Sequence, residues 1–512
     1  MDVETARLDI AVVGGGVTGL YACRKLREAL PDAGLALFES SGRLGGRIET
    51  VEMDGFLAEY GPMRFEKAAQ PLLMELIGQL GLDTCPFHPY LPDTGPEALF
   101  DLAADEGRGP APPLNALEIL TLGILRVLGQ SGGDMNDPRD PAHWRWWSAL
   151  GEDDYRRLRR EGALDGEPLR DTGFWNALSK VLSHRALNHV IWFGTFYHVV
   201  HYNPNAAEWI IFWLRGLHPG DQLVGIRQGT ESLVRELAAT LSSPAPRAVP
   251  LHLGHRLEAM RAEAGGRVRL DFRRADGSDC RVSARRVVLA LPWSPLKYLR
   301  RFLPDRIARL TDAVIPIPLV KCFFVTRDPW WDGNTPPQTR AASVPVRELH
   351  YYHRQAGDGP RGMAMVYGER PSMDYWKHMV RREPHLKAEL DGDPRLMAYY
   401  LKYLSRNPGS TCPLEGNPEI NALTCFGIRD WSREPFEAGC HIWKPGYDVV
   451  RAIEELTGFG LPGAEEDGNV HICGEAYSDF QGFIEGGLRN ALKVVEKAAR
   501  GKDRIDSSPF RR

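Results

Sequence analysis

The chain has 512 residues, 43% of them hydrophobic, enough for two to three packed lobes. Its 63 Lys and Arg against 67 Asp and Glu leave a formal charge of −4, which argues against a nucleic-acid-binding face or a polybasic membrane surface. The 8 cysteines lack metal-ligand spacing and the N-terminus carries no apolar secretory segment, so reduced thiols in a cytoplasm are expected.

The most informative stretch comes first. Leu8 to Val13 is a short apolar run that ends in Gly14-Gly15-Gly16, and a helical pattern containing Gly19 follows. Strand, glycine loop and helix in that order make a dinucleotide site. Gly14 permits a tight turn off the strand, Gly16 lets the backbone approach a pyrophosphate, and Gly19 allows helix and strand to pack closely. The helix N-terminus offers unpaired N–H groups to phosphates. The next apolar run, residues 35–38, ends in Glu39, where an acid hydrogen-bonds a ribose hydroxyl and repels the 2′-phosphate of NADP. Arg43-Leu44-Gly45-Gly46-Arg47 follows. Two adjacent glycines can lie against a diphosphate, with the arginines as charge-assisted donors, although an ordinary basic turn has the same composition.

Residues 56–65 then read Phe-Leu-Ala-Glu-Tyr-Gly-Pro-Met-Arg-Phe, placing Met63 and Arg64 just beyond the glycine loops. Pro- and Gly-rich stretches at 91–113 and 333–361 are predicted to be surface loops. Residues 111–221 read as helical and hold Trp144, Trp146, Trp147, Trp175, Trp192, Trp209 and Trp213, which either line an apolar pocket or pack helices. The most apolar helix candidate, 116–128, is too short to span a bilayer and contains Glu118 and Arg126, and the C-terminal residues 502–512 are polar, so no membrane anchor is expected. Residues 267–272 alternate as a strand before the turn Asp276-Gly277, and 286–292 form a buried strand ending at Pro292. Between 301 and 419 strand and loop patterns alternate. Lys321 there is a lone charge in an apolar strand, costly to bury unless paired or functional.

Near the other end, residues 471–490 read His-Ile-Cys-Gly-Glu-Ala-Tyr-Ser-Asp-Phe-Gln-Gly-Phe-Ile-Glu-Gly-Gly-Leu-Arg-Asn. Together with the double-glycine loop at 45–46, this closing segment resembles the flavin amine oxidase superfamily, and the two motifs bracket nearly the whole chain. The resemblance implies an α/β fold of the L-amino-acid oxidase and monoamine oxidase type. Residues 1–66, 222–300 and 420–512 would form a Rossmann-like FAD-binding domain. Residues 67–110 and 301–419 would form a mixed-sheet substrate-binding domain, and 111–221 a helical insertion. FAD would be bound by Gly14, Gly16, Gly19, Glu39, Arg43, Gly45, Gly46, Arg47, Met63, Gly474 and Glu475.

The Gly-Pro-Met-Arg segment is similar to that of bacterial L-amino-acid oxidases, which assigns Arg64 to the substrate α-carboxylate. A planar guanidinium suits this role because it binds a carboxylate bidentately. A structural salt bridge is the plainer account of the same arginine. The resemblance adds Tyr367 at the carboxylate, the Gly482 carbonyl at the amine, Phe483 as an aromatic wall and Lys321 beside the flavin N5, assisting reaction with O2. Trp443, Tyr375 and Trp376 are counted in the aromatic supply of the pocket, and an acid such as Glu208 there would turn the preference toward Lys or Arg. Cys440 aligns with the cysteine that bonds flavin in monoamine oxidases, but a buried reduced thiol and noncovalent FAD are expected.

The implied reaction is oxidative deamination of an L-amino acid, large and apolar or aromatic, to a 2-oxo acid, ammonia and H2O2 by hydride transfer to flavin. O2 would be the second substrate and a cytoplasmic homodimer the working state. Three other readings stay open: decarboxylation to an amide as in tryptophan 2-monooxygenases, oxidation of a simple amine, and a non-catalytic escort protein for lipidated GTPases, which would be colourless.

Overall fold

The computed structural model describes residues 5–87, 96–129, 133–194, 201–216, 222–242, 248–335, 338–339, 346, 348–370, 372–377, 388–389, 422–463 and 468–500. Cys412, most of 378–421 and the C-terminal tail lie outside these residues.

Two sheets organise the molecule. The first orders its strands Leu251–His252, Leu35–Phe38, Thr5–Val13, Asp279–Leu289, Arg267–Arg274 and His255–Glu263. The long strand Asp279–Leu289 runs parallel to Thr5–Val13, and its far end also pairs in parallel with Val470–Ile472. Its near end is antiparallel to Arg267–Arg274. The helices Val17–Ala29 and Ile484–Arg500 cover one face, sharing a core with Ile10, Val12 and Val288. The other face buries Val13, Phe38 and Leu289 against Leu456 and Tyr477. Burial on both faces explains why the central strands read as continuous apolar runs.

The second sheet is antiparallel throughout, in the order Gln338–Thr339, Glu348–Ala356, Gly359–Gly368, Val320–Arg327, Leu423–Asp430 and Ala388–Glu389. Alternation along Val320–Arg327 sends Val320, Cys322 and Phe324 to an outer core with Trp376, while Phe323 and Val325 join an inner core with the helical segment. That segment contains the helices Ala116–Val127, Glu152–Glu161 and Ala206–Gly216.

Two expected features differ. The stretch 333–361 was predicted as surface loop, yet it contributes the strand Glu348–Ala356, whose first four residues are buried. The domain boundary at 420 falls too early, because Leu423–Asp430 belongs to the second sheet and Val314–Ile317 pairs with Cys440–Trp443. The chain crosses between sheets there without a compositional break. No helix among the described residues is long and apolar enough to cross a membrane.

Candidate active site

A cavity of about 980 Å³ lies between the sheets, lined by the glycine loops, the 60–66 segment, the inner face of the second sheet and the 474–487 segment. Its glycines fall into two groups. At Gly14 (φ +110) a Cβ would stand 2.4 Å from the Ala290 carbonyl oxygen, and at Gly19 it would stand 2.0 Å from that of Gly14. These positions are glycine because the protein packs against itself. At Gly16 a Cβ would meet nothing nearer than 4.0 Å, at Gly474 nothing nearer than 3.7 Å, and at Gly482 nothing within 4 Å. These glycines border open cavity, a cradle whose backbone lies bare to a ligand. That pattern fits a dinucleotide laid across the helix N-terminus at Gly16.

Charged residues brace the cradle. Glu39 accepts from the N–H groups of Gly15 at 2.7 Å and Ser41 at 2.8 Å, which fixes its carboxylate at the cavity. Arg43 donates to the carbonyls of Gly46 at 2.7 Å and Ile48 at 2.9 Å, so its guanidinium shapes the double-glycine loop from within. Arg47 donates to Gly439 O at 2.7 Å and pairs with Glu475 at 2.9 Å. Glu475 also accepts from the main chain of His441 at 3.0 Å, from Gly482 at 2.8 Å, and from the His441 ring at 2.9 Å. Burial alone would raise the Glu475 carboxyl, but Arg47 and His441 outweigh it and hold it at about 2. Glu475 therefore ties the arginine loop, the strand Cys440–Trp443 and the Gly482 corner into one unit.

The opposite wall is a cross-strand row. Register places Glu348 opposite Tyr367, Tyr367 opposite Lys321, and Lys321 opposite Arg429. Tyr367, Lys321 and Arg429 line the cavity. Lys321 is 2% exposed and donates to the carbonyls of Glu59 at 2.9 Å and Gly61 at 2.5 Å, with its Nζ 4.8 Å from the Tyr367 ring centroid. Burial lowers the Lys321 ammonium to about 7, with Glu59 opposing and Arg64 adding to the shift. Arg64 also lines the cavity, and its Nη1 lies 2.8 Å from Glu348 Oε1. Cys440 borders the same space; burial first, then Glu475, pushes its thiol well up.

The sequence model of flavin-containing amine oxidoreductases matches residues 17–499. The chain belongs to that family. Aplysianin-A of Aplysia kurodai is 24% identical over 97% of this chain and 91% of its own length. Achacin of Lissachatina fulica is 22% identical over 86% of this chain and 84% of its own. Putrescine oxidase, solved with putrescine, superposes with a TM-score of 0.63 over 96% of this chain and 99% of its own at 18% identity, which shows a shared fold. The family gives this amine oxidoreductase a flavin cofactor, and the cradle has room for it.

The oxidoreductase keeps part of the expected aromatic supply at the cavity. Trp209, Phe212 and Trp213 of the helix Ala206–Gly216 line it together with Phe483, and Phe212 lies 5.6 Å from Phe483 between ring centroids. Phe87 and Met63 complete this region. Trp443 does not line the cavity: its indole is buried in the wall, donating to Ser478 O at 2.8 Å. Trp376 packs on Phe324 across the outer face of the second sheet, and neither it nor Tyr375 reaches the cavity. Glu208 forms a two-pronged pair with Arg159 at 2.7 and 2.9 Å and does not border the cavity.

Sequence reasoning missed several residues. Glu348 and His350 stand behind Arg64, and an ionic cluster stands behind the Phe483 segment. In that cluster Arg489 pairs with Asp479 at 2.8 Å, and Arg159 and Arg215 donate to the Asp479 carbonyl at 3.0 and 2.8 Å. Glu152 bridges Arg215 at 2.7 Å and Arg489 at 3.0 Å. The strand itself, Glu-Leu-His-Tyr-Tyr-His-Arg-Gln-Ala, is rich in polar residues and gave no signal that singled out Glu348 and His350.

Proposed function

We propose that this flavin amine oxidoreductase is an L-amino-acid oxidase that holds FAD noncovalently and converts an L-amino acid, O2 and water to a 2-oxo acid, ammonia and H2O2. The observation that carries the reading is Arg64 at the cavity wall, beside Tyr367 and Lys321 and braced by Glu348. Bound FAD would supply the acceptor for the Cα hydride and be reoxidised by O2. Arg64 and Tyr367 are assigned the substrate carboxylate. The Gly482 carbonyl is assigned the amine, and the residue is anchored by its N–H, in the preceding peptide, to Glu475. Three fixed contacts aim the hydrogen of one enantiomer only, so D-amino acids are inert.

Trp209, Phe212, Trp213 and Phe483 suit a large apolar side chain, gaining about 25 cal/mol per Å² removed from water. Glu208, neutralised by Arg159 outside the cavity, supplies no anion for Lys or Arg substrates. The test is a peroxide-coupled screen of L-amino acids beside their decarboxylated amines. L-Phe, L-Trp, L-Leu or L-Met should lead, and phenethylamine should be poor.

One observation favours a second reading, oxidation of an amine without a carboxylate: Glu348 already gives Arg64 an anion. Preference for the amines in the same screen selects that reading instead.

The raised thiol of Cys440 leaves little thiolate for bonding to flavin. Acid precipitation of the yellow protein should therefore release free FAD into the supernatant. Colour retained in the pellet would mean a covalent link.

A further inference from the structure

Arg64 sits in the 60–66 segment between Met63 and the two-residue strand Phe65–Glu66, so no long element fixes the course of its side chain. What fixes it comes from the second sheet. Glu348 and His350 lie two places apart on the strand Glu348–Ala356 and share its inner face. Glu348 is 1% exposed, and its Oε1 receives both Arg64 Nη1, at 2.8 Å, and His350 Nε2. His350 is buried as well, and burial lowers its imidazole, so at neutral pH it is an uncharged donor to the carboxylate. Neither Glu348 nor His350 lines the cavity, whereas Arg64 does. The guanidinium therefore faces the cavity, with the carboxylate and the imidazole together behind it, His350 Nε2 lying 3.4 Å from Arg64 Nη1.

The other guanidiniums at the cavity follow the same plan. Arg47 pairs with Glu475 at 2.9 Å, and Arg429 and Arg43 approach Glu49 at 3.2 and 3.5 Å. Arg64 and Arg47 thus each have a carboxylate of their own behind them, whereas Arg43 and Arg429 share Glu49.

We propose that Glu348, braced by His350, is the positioning residue for Arg64 and sets specificity at the carboxylate end of the site: it fixes the guanidinium plane and cancels its charge, so the site selects zwitterionic monocarboxylates over anionic ligands. This rests on the amino-acid oxidase reading above. An amino-acid zwitterion brings no net charge to the neutral Arg64–Glu348 pair, and recognition there comes from the planar fork. A ligand with a carboxylate and no ammonium brings an uncompensated charge into a cavity where Arg64 is already half satisfied.

The probe is 3-phenylpropanoate, which has the carboxylate and ring of phenylalanine but no oxidisable amine. In the flavin-loaded Glu348→Gln variant, calorimetry should show it binding roughly tenfold more tightly than in wild type, because removal of one charge unmasks the guanidinium. In the same variant kcat for L-phenylalanine should fall roughly tenfold, because an amide holds the fork less firmly, while KM does not rise. Glu348→Asp keeps the charge but is shorter: the probe should bind as in wild type while kcat falls. This second variant also serves if the Gln variant does not fold.

Unchanged probe affinity and kcat in Glu348→Gln overturn the proposal. So does weaker probe binding together with lost flavin and a lower Tm, the mark of a merely structural role. A wild-type enzyme inert to L-phenylalanine but active on phenethylamine rejects the amino-acid reading alone, and the probe arm still reports whether Glu348 masks Arg64.

Discussion

Replacing Arg64 with alanine is expected to lower kcat/KM for L-amino acids roughly a hundredfold or more, about 3 kcal/mol of transition-state binding, with flavin still bound. The side chain borders the cavity, and a two-pronged contact to a carboxylate is the strongest orienting device available there. Arg64→Lys should recover little, because an ammonium on a flexible stem has no fork. The alanine variant carries a second cost. Glu348 is buried and loses its cationic partner, and an unpaired buried charge destabilises a fold by roughly 3–5 kcal/mol. Activity and stability then fall together, which a single variant cannot separate. The double variant Arg64→Ala, Glu348→Gln separates them: its Tm should return toward wild type while activity stays lost. Steady-state kinetics and thermal melts of the three proteins decide the matter. An unchanged kcat/KM in Arg64→Ala would falsify the carboxylate assignment.

The glycine-loop geometry was legible because each requirement is local. Gly14 and Gly19 must be glycine to clear carbonyls within 2.4 Å, and the strands that flank them announce themselves by apolar runs. Lys321 was legible as a charge where a strand should have none. Glu348 and His350 were not, because they lie in a Pro- and Gly-rich stretch whose composition speaks for loop, and their partner Arg64 is 284 residues away from Glu348. Aromatic residues misled for a different reason. Composition counts Trp443 and Trp376 but does not say which face of a strand or helix they take, and both went to packed walls. The Asp479 cluster joins helices to a loop 264 residues apart in the chain, a relation that only the fold supplies.

Lys321→Met should slow flavin reoxidation by O2 roughly a hundredfold while leaving reduction by substrate within a fewfold of wild type. Among the described residues five cationic side chains border the cavity: Arg43, Arg47, Arg64, Arg429 and Lys321. The four arginines are paired with three carboxylates, Arg43 and Arg429 sharing Glu49. Among the described residues Lys321 makes its hydrogen bonds to main-chain carbonyls, with the Glu59 carboxylate near it but not hydrogen-bonded to it, so its ammonium is not locked to a carboxylate and can stabilise anionic character as O2 is reduced. Its ammonium loses its proton near pH 7, chiefly because it is buried. The wild-type reoxidation rate should therefore fall as pH rises through about 7, and the Met variant should lack that step. Stability gives an independent check of sign. A lysine held at about 7 when folded and about 10.5 when unfolded binds fewer protons in the native state between those values, so its burial costs most at and below pH 7 and less as pH rises. The Met variant should melt above wild type at pH 6, and the gap should narrow by pH 9. Stopped-flow traces of the two half-reactions, taken at several pH values, test the first claim. Impaired reduction with normal reoxidation would move Lys321 to the substrate step.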